Sequence, residues 1–259
     1  MKNENDKCST KIIKGHKIVQ YNNCIYVPPR LQECIIDWYH QYLVHSGTTR
    51  MEETIKQIFY WKNMQTQIEE YVRTFHTCQT TKKKHKKYGF LPAKKAETEP
   101  WAQVSMDLVK PYTVETSTKM YTLRAITMIN SATGWFEIAC MNEPNSETTQ
   151  RLFDSYWLAY YPQAIEVGID NRSEFKELFK ELCVNFGLNV KNTMEYNPQG
   201  NSIVKQVHQV LTNALRTFEL EKRELNEKDS FEKFLTATAY AICSTYHTTL
   251  QAISGQLVF

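Results

Sequence analysis

Two short segments decide the fold of this chain: AIEVGIDNRSEF at residues 164–175 and YNPQGNSIVK at residues 196–205. The first predicts an apolar strand that ends at the carboxylate of Asp170. The second predicts a turn, rich in Asn, Pro and Gly, that starts a helix. Open α/β sheets carry their chemistry at strand ends and helix starts. Asp107, at the end of another strand-like run, points to the same edge of a sheet.

The pattern around these segments predicts one large α/β domain at residues 101–259. Apolar and alternating runs predict strands at 104–109, 121–129, 135–141, 164–169 and 188–191. Helical spacing predicts helices at 146–161, 174–186, 203–220 and 231–248, with Gly187 as a helix C-cap. Three antiparallel strands followed by alternating helix and strand is the order of a ribonuclease H-like fold with a mixed five-stranded sheet.

The chain before this domain divides into three segments. Residues 1–30 predict a polar extension with a short hairpin, in which Asn22-Asn23 joins strands at 17–21 and 24–27. Residues 31–87 predict a small domain of three short helices, from apolar residues at helical spacing. Residues 88–100 predict a linker. The sequence therefore predicts two folded domains.

Composition narrows the function classes. The net charge is only +3, so any nucleic-acid-binding surface must be local. Seven cysteines without a Cys-x-x-Cys pair argue against a disulfide framework. The polar amino terminus is not a secretory signal, and no run is long enough to cross a bilayer. We expect a soluble intracellular protein without a membrane partner or a small-molecule substrate.

The segment NPQGNSIV at 197–204 resembles the catalytic core of retroelement integrases, most closely those of Ty3/gypsy-type retrotransposons. The resemblance continues through 134–137 and 246–259 and covers nearly the whole chain from Val27. In that family the next residue is the Glu of an Asp, Asp, Glu triad, whereas this chain has Lys205. Relatives also continue into a further carboxy-terminal DNA-binding domain, and this chain ends at Phe259.

The resemblance implies that Asp107 and Asp170 belong to a site for Mg²⁺ or Mn²⁺. Lys205 cannot ligate such an ion, because an ammonium has no acceptor. We expect it to lie between the two aspartates as a tethered cation, leaving an inactive core. A substitute acid is the alternative, with Glu174 and Glu195 as candidates. Arg172-Ser173 also stands where the family has Gly, so the turn is expected to be strained or rearranged.

The resemblance also implies a zinc module in residues 31–87, which in the family uses two His and a Cys-x-x-Cys. His40, His45 and Cys78 match three ligands, but Phe75 replaces the first Cys. A structural zinc site needs four ligands. Two interpretations stay open: the histidines are ordinary partly buried residues, or the neighbouring His76 replaces the missing ligand.

Candidate DNA contacts lie in two places. A basic run before the linker predicts phosphate contacts or a nuclear-localisation signal, or else a solvated linker: Lys82, Lys83, Lys84, Lys86 and Lys87. In the family the loop at 198–199 and the following helix approach DNA, which here implicates Gln199, Gln206 and Arg216. We expect duplex DNA as a partner, a possible homo-oligomer and a nuclear location. An active Mg²⁺-dependent strand transferase and a protein-interaction module without DNA binding stay open as alternatives.

Overall fold

The computed structural model describes residues 8–81, 99–109, 111–115, 120–192, 202–220 and 231–259. It divides into two compact units, each described below by itself. Unit 1 comprises Met1–Thr80 with Ser244–Ile253, and unit 2 comprises Thr81–Cys243 with Ser254–Phe259. No helix in the described ranges is both long and apolar enough to span a bilayer. The domain boundaries predicted from sequence stay a prediction.

Unit 1 is built from short helices around a small core. Its helices are α1 (Pro29–Tyr42), α2 (Thr48–Lys56), α3 (Met64–Thr74) and α4 (His76–Thr81). The sequence predicted three helices; the fourth arises because the extended backbone of Phe75 (φ −67°, ψ 105°) separates α3 from α4. Trp61, Met51, Ile55 and Ile68 are almost fully buried between these helices. Burial of these large side chains supplies the main stabilising term of the unit.

A four-stranded sheet also belongs to unit 1. Its strands lie in the order β1 (Cys8–Ile13), β2 (His16–Tyr21), β3 (Cys24–Tyr26) and β4 (Phe59–Tyr60). The predicted hairpin is confirmed as β2 and β3, and both Asn22 and Asn23 have positive φ, as a tight two-residue turn requires. The sequence analysis missed β1 and β4, which pair on either side of that hairpin.

Unit 2 contains the predicted mixed five-stranded sheet. The strands are β5 (Gln103–Leu108), β8 (Ala125–Asn130), β9 (Phe136–Cys140), β10 (Glu166–Ile169) and β11 (Asn189–Asn192), in the order β11-β10-β5-β8-β9. Strands β5, β8 and β9 are antiparallel neighbours, whereas β10 is parallel to both β5 and β11. The α/β fold class predicted from sequence is thereby confirmed.

Helices cover both faces of this sheet. They are α5 (Ser146–Phe153), continued by a π-helical turn at Asp154–Leu158, then α6 (Leu178–Asn185), α7 (Ser202–Leu220), α8 (Phe231–Ser244) and α9 (Ser254–Val258). One buried cluster joins the sheet to α5 and α6, and a second joins its other face to α7 and α8. Alternating strand residues feed the two clusters, which gives three layers.

Three predicted elements differ in detail. The predicted strand at 121–129 is two strands, because β7 (Met120–Leu123) pairs with β6 (Tyr112–Glu115) while β8 pairs with β5. The predicted helix at 174–186 is a 3₁₀ turn, Ser173–Phe175, followed by α6, with Glu177 between them at φ 46°. Helix α8 ends at Ser244, and a short hairpin of β12 (Tyr246–His247) and β13 (Ala252–Ile253) follows.

Candidate functional site

Asp107 and Asp170 lie together at the carboxyl ends of neighbouring parallel strands. Asp107 is the penultimate residue of β5, and Asp170 follows the last residue of β10. The register pairs Gly168 with Ser105, so two residues further on the aspartates are level. Within β5, Asp107 alternates with the core residues Met106 and Leu108 and therefore faces the α7 side of the sheet. The edge predicted from sequence thus carries both acids.

The cation that joins the two carboxylates is Arg172. Its Nε lies 2.6 Å from Asp170 Oδ2, and its Nη2 lies 3.7 Å from Asp107 Oδ1. The sequence placed Lys205 between the aspartates, and this stays a prediction: Lys205 is exposed on α7, and its charge opposes the rise in the pKa of Asp107. Arg172 reaches both acids because it stands two residues after Asp170, and its planar guanidinium presents several donors at once. Its backbone is extended (φ −77°), so replacing the family's Gly does not strain this position.

Burial dominates the protonation of the two acids. Burial raises the pKa of Asp107, and the charge of Arg172, the Leu108 N–H and the charge of Lys205 oppose that shift. Burial raises the pKa of Asp170 as well, opposed by Arg172 and reinforced by the negative charge of Asp107. The pKa of each aspartate is raised overall, so the ion pair with Arg172 only partly offsets the effect of burial. A carboxylate pair in this setting favours a bound cation.

His208 completes the pocket from α7. Its Nε2 is 2.8 Å from Thr127 Oγ1, and its Nδ1 is 3.8 Å from Asp107 Oδ2. The Thr127 hydroxyl donates its only proton to the Asp107 carbonyl oxygen, so Nε2 must donate to Thr127. Burial, helped by Arg172, lowers the pKa of His208 to about 4. His208 is half-buried, and its lowered pKa keeps it neutral near pH 7.

Glu174, one of the two candidate substitute acids, does not group with Asp107 and Asp170 among the described residues. Glu174 lies in the 3₁₀ turn, where its Oε2 accepts a hydrogen bond from the Ser173 hydroxyl at 2.8 Å. Glu195 lies outside the described residues. Over the described ranges, the metal-ligating side chains that group in threes or more are His40, His45 and Cys78 alone. The described part of the pocket therefore offers two acids, one guanidinium and one neutral imidazole.

A second cluster lies in unit 1, where His40, His45 and Cys78 meet. His40 Nε2 lies 3.1 Å from Cys78 Sγ, which lies 3.7 Å from His45 Nδ1. One ligand atom from each residue falls within 4.8 Å of the other two. In a tetrahedral zinc site the nitrogen–sulfur edge is about 3.5 Å, from bond lengths of about 2.1 and 2.3 Å. These three side chains are therefore already arranged to share a metal ion.

A helix end brings the two histidines together. After α1, Val44 N–H donates to the Gln41 carbonyl and His45 N–H donates to the His40 carbonyl, which is a Schellman motif. The motif turns the chain back, so that His45 faces His40 with ring centroids 4.8 Å apart. Its turning residue is usually Gly, but here Val44 has φ 52°. A β-branched side chain is strained in this left-handed conformation.

Phe75 takes the place of the missing ligand. Its ring centroid lies 4.7 Å from that of His40 and 5.5 Å from that of His45. His76 begins α4 and is exposed, so it does not join the cluster among the described residues. The donor set is thus three residues closed on one side by an aromatic ring. A closed structural zinc site has four donors, so these residues fit zinc incompletely.

The candidate DNA contacts are only partly described. Gln206 is exposed and Arg216 is half-buried on α7, where Gln209 donates a hydrogen bond to Asn213 Oδ1. The lysine run, Lys82, Lys83, Lys84, Lys86 and Lys87, lies outside the described residues, as does Gln199. Arg216, Lys205 and Gln209 share one face at helical spacing. That face is the described candidate for phosphate contacts.

Comparisons with known proteins agree with these features. Residues 27–84 match the family model described as integrase zinc binding domain. The chain is 27% identical over 223 residues to the Transposon Tf2-3 polyprotein of Schizosaccharomyces pombe, and equally to the Tf2-4 polyprotein. These matches cover 83% of this chain but only 16% of each polyprotein, so the chain corresponds to a small part of those relatives.

A solved structure shares the fold. A chain in the cryo-EM structure of the simian T-cell lymphotropic virus intasome, in complex with PP2A regulatory subunit B56 gamma, aligns with a TM-score of 0.55. The alignment covers 86% of this chain and 71% of that chain at 13% sequence identity. At this identity the likeness concerns the fold alone.

Proposed function

We propose that this chain, an integrase-type protein of the Ty3/gypsy retrotransposon class, retains a DNA-contacting scaffold but has lost strand-transfer chemistry. Its ancestry follows from the match to the integrase zinc-binding model, the Tf2 relatives and the fold. The loss of chemistry is our own inference from the pocket at Asp107 and Asp170. The observation that carries it is the guanidinium of Arg172 spanning both carboxylates.

The pocket does not fit the divalent ions of the family. Such ions, when bound, activate the attacking oxygen and stabilise the leaving one at a phosphodiester. They need hard oxygen ligands in near-octahedral geometry. In this chain one oxygen of each aspartate faces Arg172, and Asp107 Oδ1 also accepts the Leu108 N–H at 2.8 Å. The residues here bind a cation of the protein's own instead.

Lys205 adds a second obstacle at the position of the third acid. Its charge opposes the rise in the pKa of Asp107, so its ammonium acts on the same carboxylate as Arg172. With Arg172 beside both acids and the charge of Lys205 acting on Asp107, the negative charge that could attract a dication is largely balanced. His208 stays neutral, and its Nε2–H donates to Thr127, so it adds no positive charge to the pocket. We therefore assign the pocket a structural role.

A strand-transfer assay tests the loss of chemistry. Oligonucleotide joining is measured with Mn²⁺ for the parent, for Lys205→Glu and for Arg172→Gly/Lys205→Glu. We expect no product from the parent, and none from Lys205→Glu, because Arg172 still occupies the carboxylates. Joining by the parent would contradict the proposal and support an active transferase, with Glu174→Gln and Glu195→Gln then identifying the substitute acid.

DNA binding is the retained function that we propose. Support comes from the polar face of α7, with Lys205, Gln206 and Arg216, and from the lysine run at 82–87 in the sequence. Binding of a labelled duplex is measured by fluorescence anisotropy over a salt series, since phosphate contacts release counterions. Arg216→Gln should reduce the slope of log affinity against log salt by about 0.9. Arg151→Gln, the same change at an exposed position of α5, should leave the slope unaltered.

The remaining expectations belong to the same proposal. Nuclear residence and homo-oligomer formation follow from the resemblance, and the matched viral chain is described as part of an intasome. If no duplex binding is found at any salt concentration, the DNA-contacting role fails. A protein-interaction module without DNA binding would then be the better account of this scaffold.

A further inference from the structure

The cluster of His40, His45 and Cys78 in unit 1 offers three donors, whereas a structural zinc site has four. Two imidazole nitrogens and one sulfur converge from His40, His45 and Cys78, within 4.8 Å of one another. His40 is fully buried, Cys78 is nearly so, and His45 is half-buried. Any metal ion held here is thus largely shielded from water. The charge of the three donors and their number then decide which metal ion the site binds.

Charge favours a monovalent ion in this cluster. A metal-bound cysteine is a thiolate with one negative charge, whereas the two imidazoles are neutral. With a dication, the site keeps one uncompensated positive charge in a buried place, which is unfavourable. With a monovalent ion the charge is zero. The nearby carboxylate of Asp37 is engaged with the Tyr71 hydroxyl at 2.5 Å and with the Gln41 amide, and it is not among the grouped donors.

Coordination number favours the same ion. The side of the cluster where the family has its fourth ligand is covered by Phe75, whose ring lies against both imidazoles. Tyr71 lies behind, with its centroid 5.7 Å from that of Phe75 and 5.5 Å from that of His40. The ring of Phe75 offers no donor atom, and the Tyr71 hydroxyl donates to Asp37 instead. The described residues thus give zinc three of its four ligands, whereas soft sulfur and imidazole donors suit copper(I).

We propose that His40, His45 and Cys78 form a three-coordinate site selective for copper(I), with Phe75 as its apolar wall. Replacement of one cysteine by Phe75 converts a four-donor site for a dication into a neutral three-donor site for a soft monovalent ion. The site does not depend on the pocket at Asp107 and Asp170. Its test therefore separates from the tests of DNA binding and strand transfer.

The full chain is titrated anaerobically with copper(I) against a chromophoric chelator, and separately with zinc against a zinc indicator. X-ray absorption at the copper edge gives the donor count. We expect one copper ion bound by two nitrogens and one sulfur, without a fourth donor. Phe75→Cys should tighten zinc at least about 100-fold, because the missing ligand is restored. Phe75→Leu, which adds no donor, should leave zinc affinity within about threefold of the parent.

Two further variants check the donor set. Cys78→Ser should abolish copper(I) binding, with circular dichroism confirming that the helices persist. His76→Ala/His85→Ala should leave copper(I) affinity unchanged, because neither imidazole belongs to the proposed set. The proposal is overturned by a copper site with four donors, by weaker copper binding in the His76→Ala/His85→Ala variant, or by equal zinc affinity in the parent and Phe75→Cys. Failure of the parent to bind copper(I) also overturns it.

Discussion

Removal of the Arg172 guanidinium should open the carboxylate pocket to divalent ions. The change is Arg172→Gln, which keeps much of the side-chain length but removes the charge. In the parent, Asp107 and Asp170 are balanced by Arg172 and Lys205, and the guanidinium lies 2.6 and 3.7 Å from the two acids. An ion bound by both carboxylates has to displace it. Arg172→Gln removes the guanidinium that competes with the ion for the carboxylates, and with it the repulsion between the two positive charges.

The magnitude follows from Coulomb's law. Two unit charges 4 Å apart interact by about 1 kcal/mol in the dielectric of water, so a dication beside a unit charge feels about 2 kcal/mol. The water value is appropriate because the Arg172 side chain is 37% exposed. Arg172→Gln should therefore tighten Mn²⁺ binding by at least about 30-fold.

Isothermal titration with Mn²⁺ measures this change on the parent, Arg172→Gln and the control Arg151→Gln. The control removes the same charge from α5, away from the aspartates, and should bind Mn²⁺ as the parent does. Tight binding of two ions by the parent, or equal affinities for the parent and Arg172→Gln, would refute the reasoning. Either result would mean that the guanidinium moves aside at no cost when an ion arrives.

Three further predictions concern stability, each measured by denaturant unfolding. Val44→Gly should stabilise the chain by about 1 kcal/mol, because Val44 has φ 52° at the turning position of the Schellman motif; Val44→Ala should give no gain. Glu177→Gly should stabilise by a similar amount, about 1 kcal/mol, because Glu177 has φ 46°, and a loss would show that its side chain outweighs the strain. For His208, the folded pKa of about 4 lies below the ordinary 6.5, so its stabilising contribution is complete above pH 6.5 and disappears as pH falls through 4. Between pH 7 and pH 4 the parent should lose up to about 3 kcal/mol relative to His208→Gln, and parallel curves would contradict this.

Much of the large domain could be predicted because its strands are locally distinct. Strands β5 and β9 are apolar runs bounded by polar or turn residues, and Asp170 stands at the end of another. The division between β7 and β8 could not be predicted from periodicity. Residues 121–129 form one continuous extended run in sequence, and the break at Arg124 follows from a change of pairing partner, from β6 to β5. Pairing of that kind depends on tertiary structure.

The sequence predicted which strand ends carry the site, but it did not predict which long side chain contacts the two aspartates. Asp107 and Asp170 could be placed together because parallel strands end at one edge of a sheet. The role of Arg172 depends on which way the chain leaves β10 and on how far a long side chain extends, and neither is encoded in spacing. The available signal was an arginine two residues after an acid in a turn, where the family has glycine. The contact of His208 with Thr127 could not be predicted, because helical spacing alone does not show how far the buried face of α7 extends.

The two altered sites share one physical feature, which explains how the fold persists with a reduced donor set. Two buried carboxylates without a cation repel each other, and both have a raised pKa. Arg172 supplies the missing positive charge. Two imidazoles and a thiol without a fourth ligand would leave a gap, and the ring of Phe75 fills it against both histidines. Arg172 and Phe75 both stand where the resemblance expects another residue, and each contacts the remaining side chains of its site. Replacing Arg172 therefore removes a stabilising contact as well as a competitor for the ion, and the charge of Lys205 still acts on Asp107 unless it is changed too.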